Sequence, residues 1–526
     1  MTSSRAQGAG FRAQGRRDVL TRTSRSLVLI ALAVSTACGG AHSTPVLPET
    51  AVANVAPAHA SPAVAALRVD LDRVFNAPIM DRGVWAVDVR SLDTGESLYR
   101  LNADKLMMPA SNMKIVTLAA TAEALGWDYR YTTTLETTAP VVNGVLEGDL
   151  IVRGTGDPSI NARGARATAV LDEWATALHA AGITAINGRI VGDDQAFDDE
   201  GIGAGWAWDY LQYGYAAPVG ALEFNEDNAR LTVEAGPIVG SQAAVTLSPG
   251  AGFVVINRAT TGEAGSRNTI DYRRRLDQPV LEVSGSIPLG ATPDVSAVAV
   301  VNPTVFFAQS LKDGLAARAI AVSGAAADFD DIAAGMPAGA RRVLVTTQSP
   351  PLSEIATVLM KVSQNLYAET FVKTLGASRG GLGTWAGGLA ISRATLKAWG
   401  VPDDAYVLYD GSGLSRYNYV TAATLTTVLE HLYKDPRHRE PFAATLPIAG
   451  KDGTVSSRLK GTRAEGNALA KTGSIANVRA LSGYLKTRDG EMLVFSILTN
   501  DFVIPSSTVN YIADLGVEIV ANFMRK

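Results

Sequence analysis

Cysteine is nearly absent from this chain. A single thiol, Cys38, in 526 residues excludes an intramolecular disulfide and a thiolate metal cluster. Histidine is almost as scarce. Of the five, His42 and His59 fall in a stretch of leader-like composition. His179, His431 and His438 stand in neither a Gly-framed nor an HExxH-like setting, so a Ser-His-Asp triad or a histidine metal site has little to be built from. A net charge of −4 and the lack of a long basic stripe beyond the N-terminus remove the case for a nucleic-acid partner. The apolar run 27–34 (LVLIALAV) is too short to span a bilayer as a mature helix. There is no internal repeat and no coiled-coil heptad. What remains, 47% hydrophobic and 19% charged, reads as a globular chain with room for two to four domains.

The N-terminus has the order of an export signal. Residues 1–26 carry six arginines, no lysine and one acid, and the apolar run follows. Arg16-Arg17-Asp18-Val19-Leu20 looks like a twin-arginine signal. Small residues then lead to Cys38 (VSTACGG), which resembles the bacterial lipobox, whose cysteine becomes the lipidated N-terminus; Ser35 stands where leucine is usual. Residues 39–66, rich in Ala, Pro, Val, Ser and Thr, cannot bury enough apolar surface to fold alone and read as a tether. The expectation is an exported protein of the periplasm or cell envelope, with residues 1–38 as signal and a lipid anchor at Cys38 as the only link to a membrane.

Beyond the tether the texture changes twice. A helix at 67–75 and a hairpin of strands 84–90 and 97–101 lead into a helix that stops at Gly126. From about 132 short strands and Gly/Asp turns take over, broken by helices at 167–181 and 304–319 and closed by a strand at 342–347. Long helices return at 353–375, 385–399 and 422–434. Strand runs at 468–472, 481–486 and 492–498 and a helix at 507–524 finish the chain. Antiparallel strands flanked by helices predict an α+β fold, with the middle stretch inserted into the first domain.

The chemistry gathers at three short motifs. Ser111-Asn112-Met113-Lys114 places a hydroxyl and an amine three residues apart, on one helix face. Serine is a weak nucleophile until a base takes its proton, and a lysine kept neutral by burial or by a second cation can be that base. Pro109 suits a helix start, and backbone N–H groups beside Ser111 would be free to hold an oxyanion. Ser363-Gln364-Asn365, within or beside an apolar helix, supplies a hydroxyl that can relay a proton and an amide that can meet a peptide. Lys471-Thr472-Gly473-Ser474, at the end of a strand run, supplies a cation and hydroxyls for a carboxylate and a glycine for close backbone approach. A Lys471 facing Lys114 would lower the proton affinity of both.

SxxK, SxN and KTG in this order form the signature of serine penicillin-recognising enzymes. Within that group the chain, from about Leu67 to its C-terminus, resembles the D-alanyl-D-alanine carboxypeptidase/endopeptidase family of penicillin-binding protein 4 type, peptidase family S13. The supporting strings are LNADKLMMPASNMK, LEGDLIVRGTGDPSI, VGDDQAFDD, YAAPVGALEFNEDN, YDGSGLSR and KTGS, together with the long gap between Lys114 and Ser363. The resemblance implies a penicillin-binding, β-lactamase-like transpeptidase domain at 67–131 and 346–526. Two nested, mainly β inserted domains would interrupt it, the outer at 132–154 and 241–345 and the inner at 155–240. It also implies Ser111 as the acylated nucleophile, Lys114 as its base, Ser363 as a relay and Asn365 on the substrate amide. Lys471, Thr472 and Ser474 would bind the terminal carboxylate, with Gly473 beside them, and the N–H groups of Ser111 and Ser474 would form the oxyanion hole. The substrates implied are peptidoglycan stem peptides, with β-lactams as covalent inhibitors and no cofactor or metal. Arg416, in a Gly-rich turn at 410–416, and Trp206, Trp208 and Asp209 are further candidates for contact with the stem peptide. Asp157, Asp193 and Asp194 resemble an acidic metal cluster only superficially, since Gly-Asp turn chemistry explains them. Two rival readings are a β-lactamase or esterase using the same Ser-Lys pair, and a non-catalytic wall-binding scaffold.

Overall fold

The computed structural model describes residues 61–525 apart from 250, 251, 277, 333 and 335–338. The expected export signal, Cys38 and residues 39–60 of the tether lie outside the described residues. The tether was expected to run to 66, but helix α1 (Pro62–Phe75) begins earlier: Pro62 takes the first turn and the Ser61 hydroxyl accepts from the Val64 N–H.

Five antiparallel strands form the central sheet: β1 (Val84–Ser91), β2 (Ser97–Leu101), β3 (Leu469–Ile475), β4 (Val478–Lys486) and β5 (Met492–Asn500). Their order is β2-β1-β5-β4-β3, so the first and last parts of the chain share one sheet. Side chains alternate between two cores. Trp85, Val87 and Val89 of β1, with Leu493, Phe495 and Ile497 of β5, pack toward α1 and the terminal helix α7 (Ser506–Asn522). Ala86, Val494 and Leu498 pack on the other face against helices α2 (Met113–Leu125), α3 (Leu352–Lys361), α4 (Asn365–Ala377), α5 (Trp385–Ala398) and α6 (Ala422–Lys434). Burial on both faces is why these strands read as nearly continuous apolar runs. Helix α2 is buried from Met113 through Ala122, as expected for a helix enclosed by others.

Two expectations change here. The helix read at 353–375 is two helices, and the break falls on the SxN motif: Ser363 has φ +62° and α4 starts at Asn365. No proline or glycine marks that break. The KTG motif lies within β3, an edge strand, and does not terminate it.

The middle stretch leaves and re-enters the body at adjacent points, because strand Thr132–Thr137 pairs with Arg342–Gln348. These strands share a sheet with Leu150–Arg153, Ile190–Asp193 and Ala326–Asp328. That sheet packs on helices Arg166–Ala180 and Pro303–Ala316 through Leu135, Val152, Trp174 and Phe307. The strand pairing does not follow the boundaries expected at 155 and 240. Leu150–Arg153 pairs with Ile190–Asp193 across the first, and Asn228–Glu234 pairs with Ala244–Ser248 across the second. Leu231, Val233, Tyr272, Leu281, Val283 and Val298 form a core of their own, drawn from both sides of residue 240. Such long-range pairing is not revealed by composition.

Candidate active site

Ser111 sits on a single 3-10 turn, Ala110–Asn112, immediately before α2. Ala110 is held at φ +45°, a left-handed conformation that costs a residue with a Cβ about 1 kcal/mol or more. Two glycines press on this turn. A Cβ on Gly413 would lie 1.7 Å from the Ala110 carbonyl oxygen, and one on Gly473 would lie 2.7 Å from the Pro109 oxygen and 3.0 Å from the Ser111 nitrogen. The glycine of KTG therefore lets the edge strand touch the Ser111 turn.

Lys114, in the first turn of α2 and one helical turn beyond Ser111, has no exposed surface. Its Nζ donates to Asn365 Oδ1 at 2.6 Å, to the Ser412 carbonyl at 2.8 Å and to Ser111 Oγ at 3.0 Å. The first two partners are acceptors only, so they hold two N–H bonds in either charge state. The third position faces Ser111, where an ammonium donates and a neutral amine presents its lone pair to the hydroxyl. Burial pushes the Lys114 amine down to about 7, against the opposing pull of the Glu369 and Asp410 carboxylates.

Ser363, turned out by the helix break, accepts from Lys471 Nζ at 2.7 Å, and Lys471 also donates to the Thr472 carbonyl at 2.8 Å. Lys471 is completely buried, and desolvation first, then repulsion from Lys114, hold it well below the ordinary lysine range. Lys471, expected to bind a carboxylate, is held on Ser363 and is not among the side chains that line the cleft. Thr472, Gly473 and Ser474 do line the cleft, which encloses about 590 Å³ and also exposes Ser111, Ser363 and Asn365.

The 410–416 turn is organised by two buried acids. Glu369 on α4 accepts from the N–H groups of Gly411 and Ser412 and from Trp385 Nε1, and burial, with repulsion from Asp410, raises its carboxyl to about 7. Asp410 accepts from the N–H groups of Gly413 and Ser415, from Asn418, and from Trp206 Nε1 at 2.9 Å. Trp206 is thus committed to this turn, away from the cleft lining, while Trp208 and Asp209 are exposed and also outside it. Arg416 donates to the Ala476 carbonyl at 3.2 Å, at the rim. The acids expected to be bystanders have separate partners. Asp157 accepts from Ser159 and pairs with Arg166, Asp193 pairs with Arg341, and Asp194 accepts from Thr304.

Sequence reasoning missed Tyr210, Tyr215, Thr454, Arg458, Arg479 and Asn510, which also line the cleft. Tyr215 belongs to the inserted stretch, and its carbonyl accepts from Asn365 Nδ2 at 2.7 Å, which fixes the amide so that its oxygen faces Lys114. Arg479 was within reach of the motifs: it stands opposite Ser474 in the β3–β4 ladder, five residues on through a tight hairpin.

A helix-covered antiparallel sheet, with SxxK opening the enclosed helix, SxN at a helix break and KTG on the edge strand, is the arrangement of the serine penicillin-binding fold. The solved structure of penicillin-binding protein 4 (dacB) from Haemophilus influenzae superposes with a TM-score of 0.73 and 25% identity, over 86% of this chain and 99% of that one. The D-alanyl-D-alanine carboxypeptidase of Actinomadura sp. (strain R39) is 36% identical over 472 residues, 87% of this chain and 85% of its own length. DacB of Haemophilus influenzae is 27% identical over 422 residues, covering 78% and 84%. The family model for D-Ala-D-Ala carboxypeptidase 3 (S13) matches residues 67–522. The chain belongs to this S13 family of serine peptidases, and it is a hydrolase of the D-Ala-D-Ala carboxypeptidase type.

Proposed function

We propose that the protein cleaves the terminal D-Ala-D-Ala bond of peptidoglycan stem peptides through an acyl-enzyme on Ser111. The observation that carries this reading is the Lys114 amine. It is buried, pushed down to about 7, committed by two bonds to neutral acceptors, and left with one position toward Ser111 Oγ. Neutral Lys114 takes the Ser111 proton as Oγ attacks the penultimate D-alanine carbonyl. The N–H groups of Ser111 and Ser474 hold the oxyanion, an interaction worth about 3 kcal/mol per donor in comparable sites. Collapse returns the proton to the amine of the departing D-alanine, with Ser363 and Lys471 beside the path. Water then attacks the ester carbonyl as Lys114 takes its proton, and when the bond from the acyl carbon to Ser111 Oγ breaks Lys114 passes that proton to Oγ, which restores the hydroxyl and the neutral amine as the shortened peptide leaves. Asn365 holds the substrate amide, and Thr472 and Ser474 meet the carboxylate.

A penicillin acylates the same hydroxyl, and a cross-link in place of the terminal D-alanine gives endopeptidase activity on the same route. The site works in the exported space of the cell envelope, from a lipid anchor at Cys38. Among the described residues no helix is long and apolar enough to cross a membrane. A fluorescent penicillin labels the wild type and not Ser111→Ala, and the wild type releases D-alanine from a stem pentapeptide. Labelling that persists in the mutant overturns the assignment of Ser111, and rapid sustained β-lactam turnover points to a β-lactamase. Cross-linked muropeptides digested and read by mass spectrometry test the endopeptidase step, and the mass of the mature N-terminus tests lipidation at Cys38.

A further inference from the structure

A free carboxylate in the cleft calls for a cation, and the lysines of the motifs are held elsewhere: Lys471 is buried on Ser363, and Lys114 is buried against Ser111. The charged side chains that line the cleft are Arg458 and Arg479. Arg458 is already neutralised, with Nε and Nη2 both on the Asp514 carboxylate and Nη2 at 2.7 Å. Arg479 has no carboxylate within ion-pair distance among the described residues. Its Nη1 donates to the carbonyls of Ile475 at 2.8 Å and Val478 at 2.6 Å, its Nη2 donates to Ser506 Oγ, and its guanidinium lies over the Phe502 ring, 5.6 Å from the centroid. A guanidinium has five N–H groups. Three are used, which leaves Nε–H and one Nη2–H without a partner among the described residues. The Arg479 backbone faces Ser474 across the ladder, so the side chain is anchored at the end of the motif meant to receive the carboxylate.

Resting on the DD-peptidase reading, we propose that Arg479 is the counter-cation of the substrate's terminal carboxylate and sets the preference of this cleft for a peptide with a free C-terminus. The planar fork suits a carboxylate better than a point charge would. The hairpin carbonyls and Ser506 hold the fork in place, so little side-chain freedom is lost on binding. Partial burial first, then repulsion from Arg458, disfavours the unpartnered cation, and an anion entering the cleft offsets both. Arg416 is the competing cation, but it lies outside the lining and holds the Ala476 carbonyl from the rim.

The test compares two substrates that differ only at the terminus, a stem pentapeptide ending in D-alanine and the same peptide ending in D-alaninamide. The wild type favours the acid by about 10- to 100-fold in kcat/KM, the range of a hydrogen-bonded charge pair, with most of the difference in KM. Arg479→Gln loses that preference by weakening the acid alone, and Arg479→Lys recovers part of it. Damage to the fold would lower both substrates together, so an equal loss overturns the proposal, as does a preference that survives intact. Loss of the preference in Arg416→Gln but not in Arg479→Gln would transfer the role to Arg416. A wild type that hydrolyses neither peptide defeats the DD-peptidase reading itself; one that hydrolyses both without preference leaves that reading standing and removes Arg479 from it.

Discussion

Two lysines on neighbouring helices, Lys114 on α2 and Lys373 on α4, are both without exposed surface, yet they occupy opposite kinds of site. Lys373 ties the inserted stretch to the catalytic body. Its Nζ reaches the Asp198 carboxylate and the carbonyls of Asp198 and Glu200, and lies 4.5 Å from the centre of a Trp385 ring. Lys114 has only neutral partners, Asn365, Ser412 and Ser111. The nearby carboxylates of Glu369 and Asp410 are turned to the N–H groups of the 410–416 turn instead. Burial is the same in both places, and the partner decides the outcome. A carboxylate makes a clamp, whereas neutral acceptors make an amine that can exchange a proton with serine.

That contrast breaks if the two lysines behave alike on removal. Lys114→Met lowers penicillin acylation by about 10²- to 10⁴-fold, the usual reach of a general base, and costs less stability than Lys373→Met, because it strands two neutral acceptors, Asn365 Oδ1 and the Ser412 carbonyl, and no carboxylate. Lys373→Met leaves Asp198 without its ammonium and costs about 3 to 5 kcal/mol in urea unfolding, while the protein that remains folded still acylates. A Lys373 variant with full stability, or a Lys114 variant with full acylation, would remove the distinction.

Titration sharpens it. The base must be neutral, so the acylation rate rises with pH through a midpoint near 7. The Glu369 carboxylate pulls that midpoint up, so Glu369→Gln shifts it to lower pH, and Lys373→Met leaves it in place. The same group enters stability with a definite sign. In the folded state Lys114 releases its proton near 7, and in the unfolded chain near its ordinary 10.5. The unfolded state therefore binds more protons between these values, and this contribution to stability rises with pH across that window. In Lys114→Met that part of the rise is gone, as unfolding measured at pH 7 and pH 9 would show.

The legible parts of this protein were the local ones. Ser111 and Lys114 need only helical spacing, the order of the three motifs was enough to define the group of serine penicillin-recognising enzymes, and the longer strings with the gap from Lys114 to Ser363 narrowed it to the family. The helix break at Ser363 was not legible, since nothing in the local sequence forces a left-handed serine there, and the partner its hydroxyl meets, Lys471, is more than a hundred residues away. The same limit hid the burial of Lys471, the boundaries of the nested piece, and Tyr215, whose carbonyl reaches Asn365 from the inserted stretch. Arg479 could have been found from the hairpin register that places it opposite Ser474.

Trp206 gives the smallest effect and the finest test of the seam. Its indole N–H is one of several donors to Asp410, and the same oxygen, Oδ2, also accepts from the Ser415 N–H at 2.6 Å. Trp206→Phe therefore removes one hydrogen bond without leaving that oxygen bare, a loss of about 1 kcal/mol that urea unfolding can detect. If the indole instead met the stem peptide, as its sequence context suggested, the variant would raise KM for the pentapeptide. With the N–H directed to Asp410, KM stays where it is and only stability falls, which places Trp206 with Lys373 among the residues that fasten the insertion and apart from Lys114 and the chemistry.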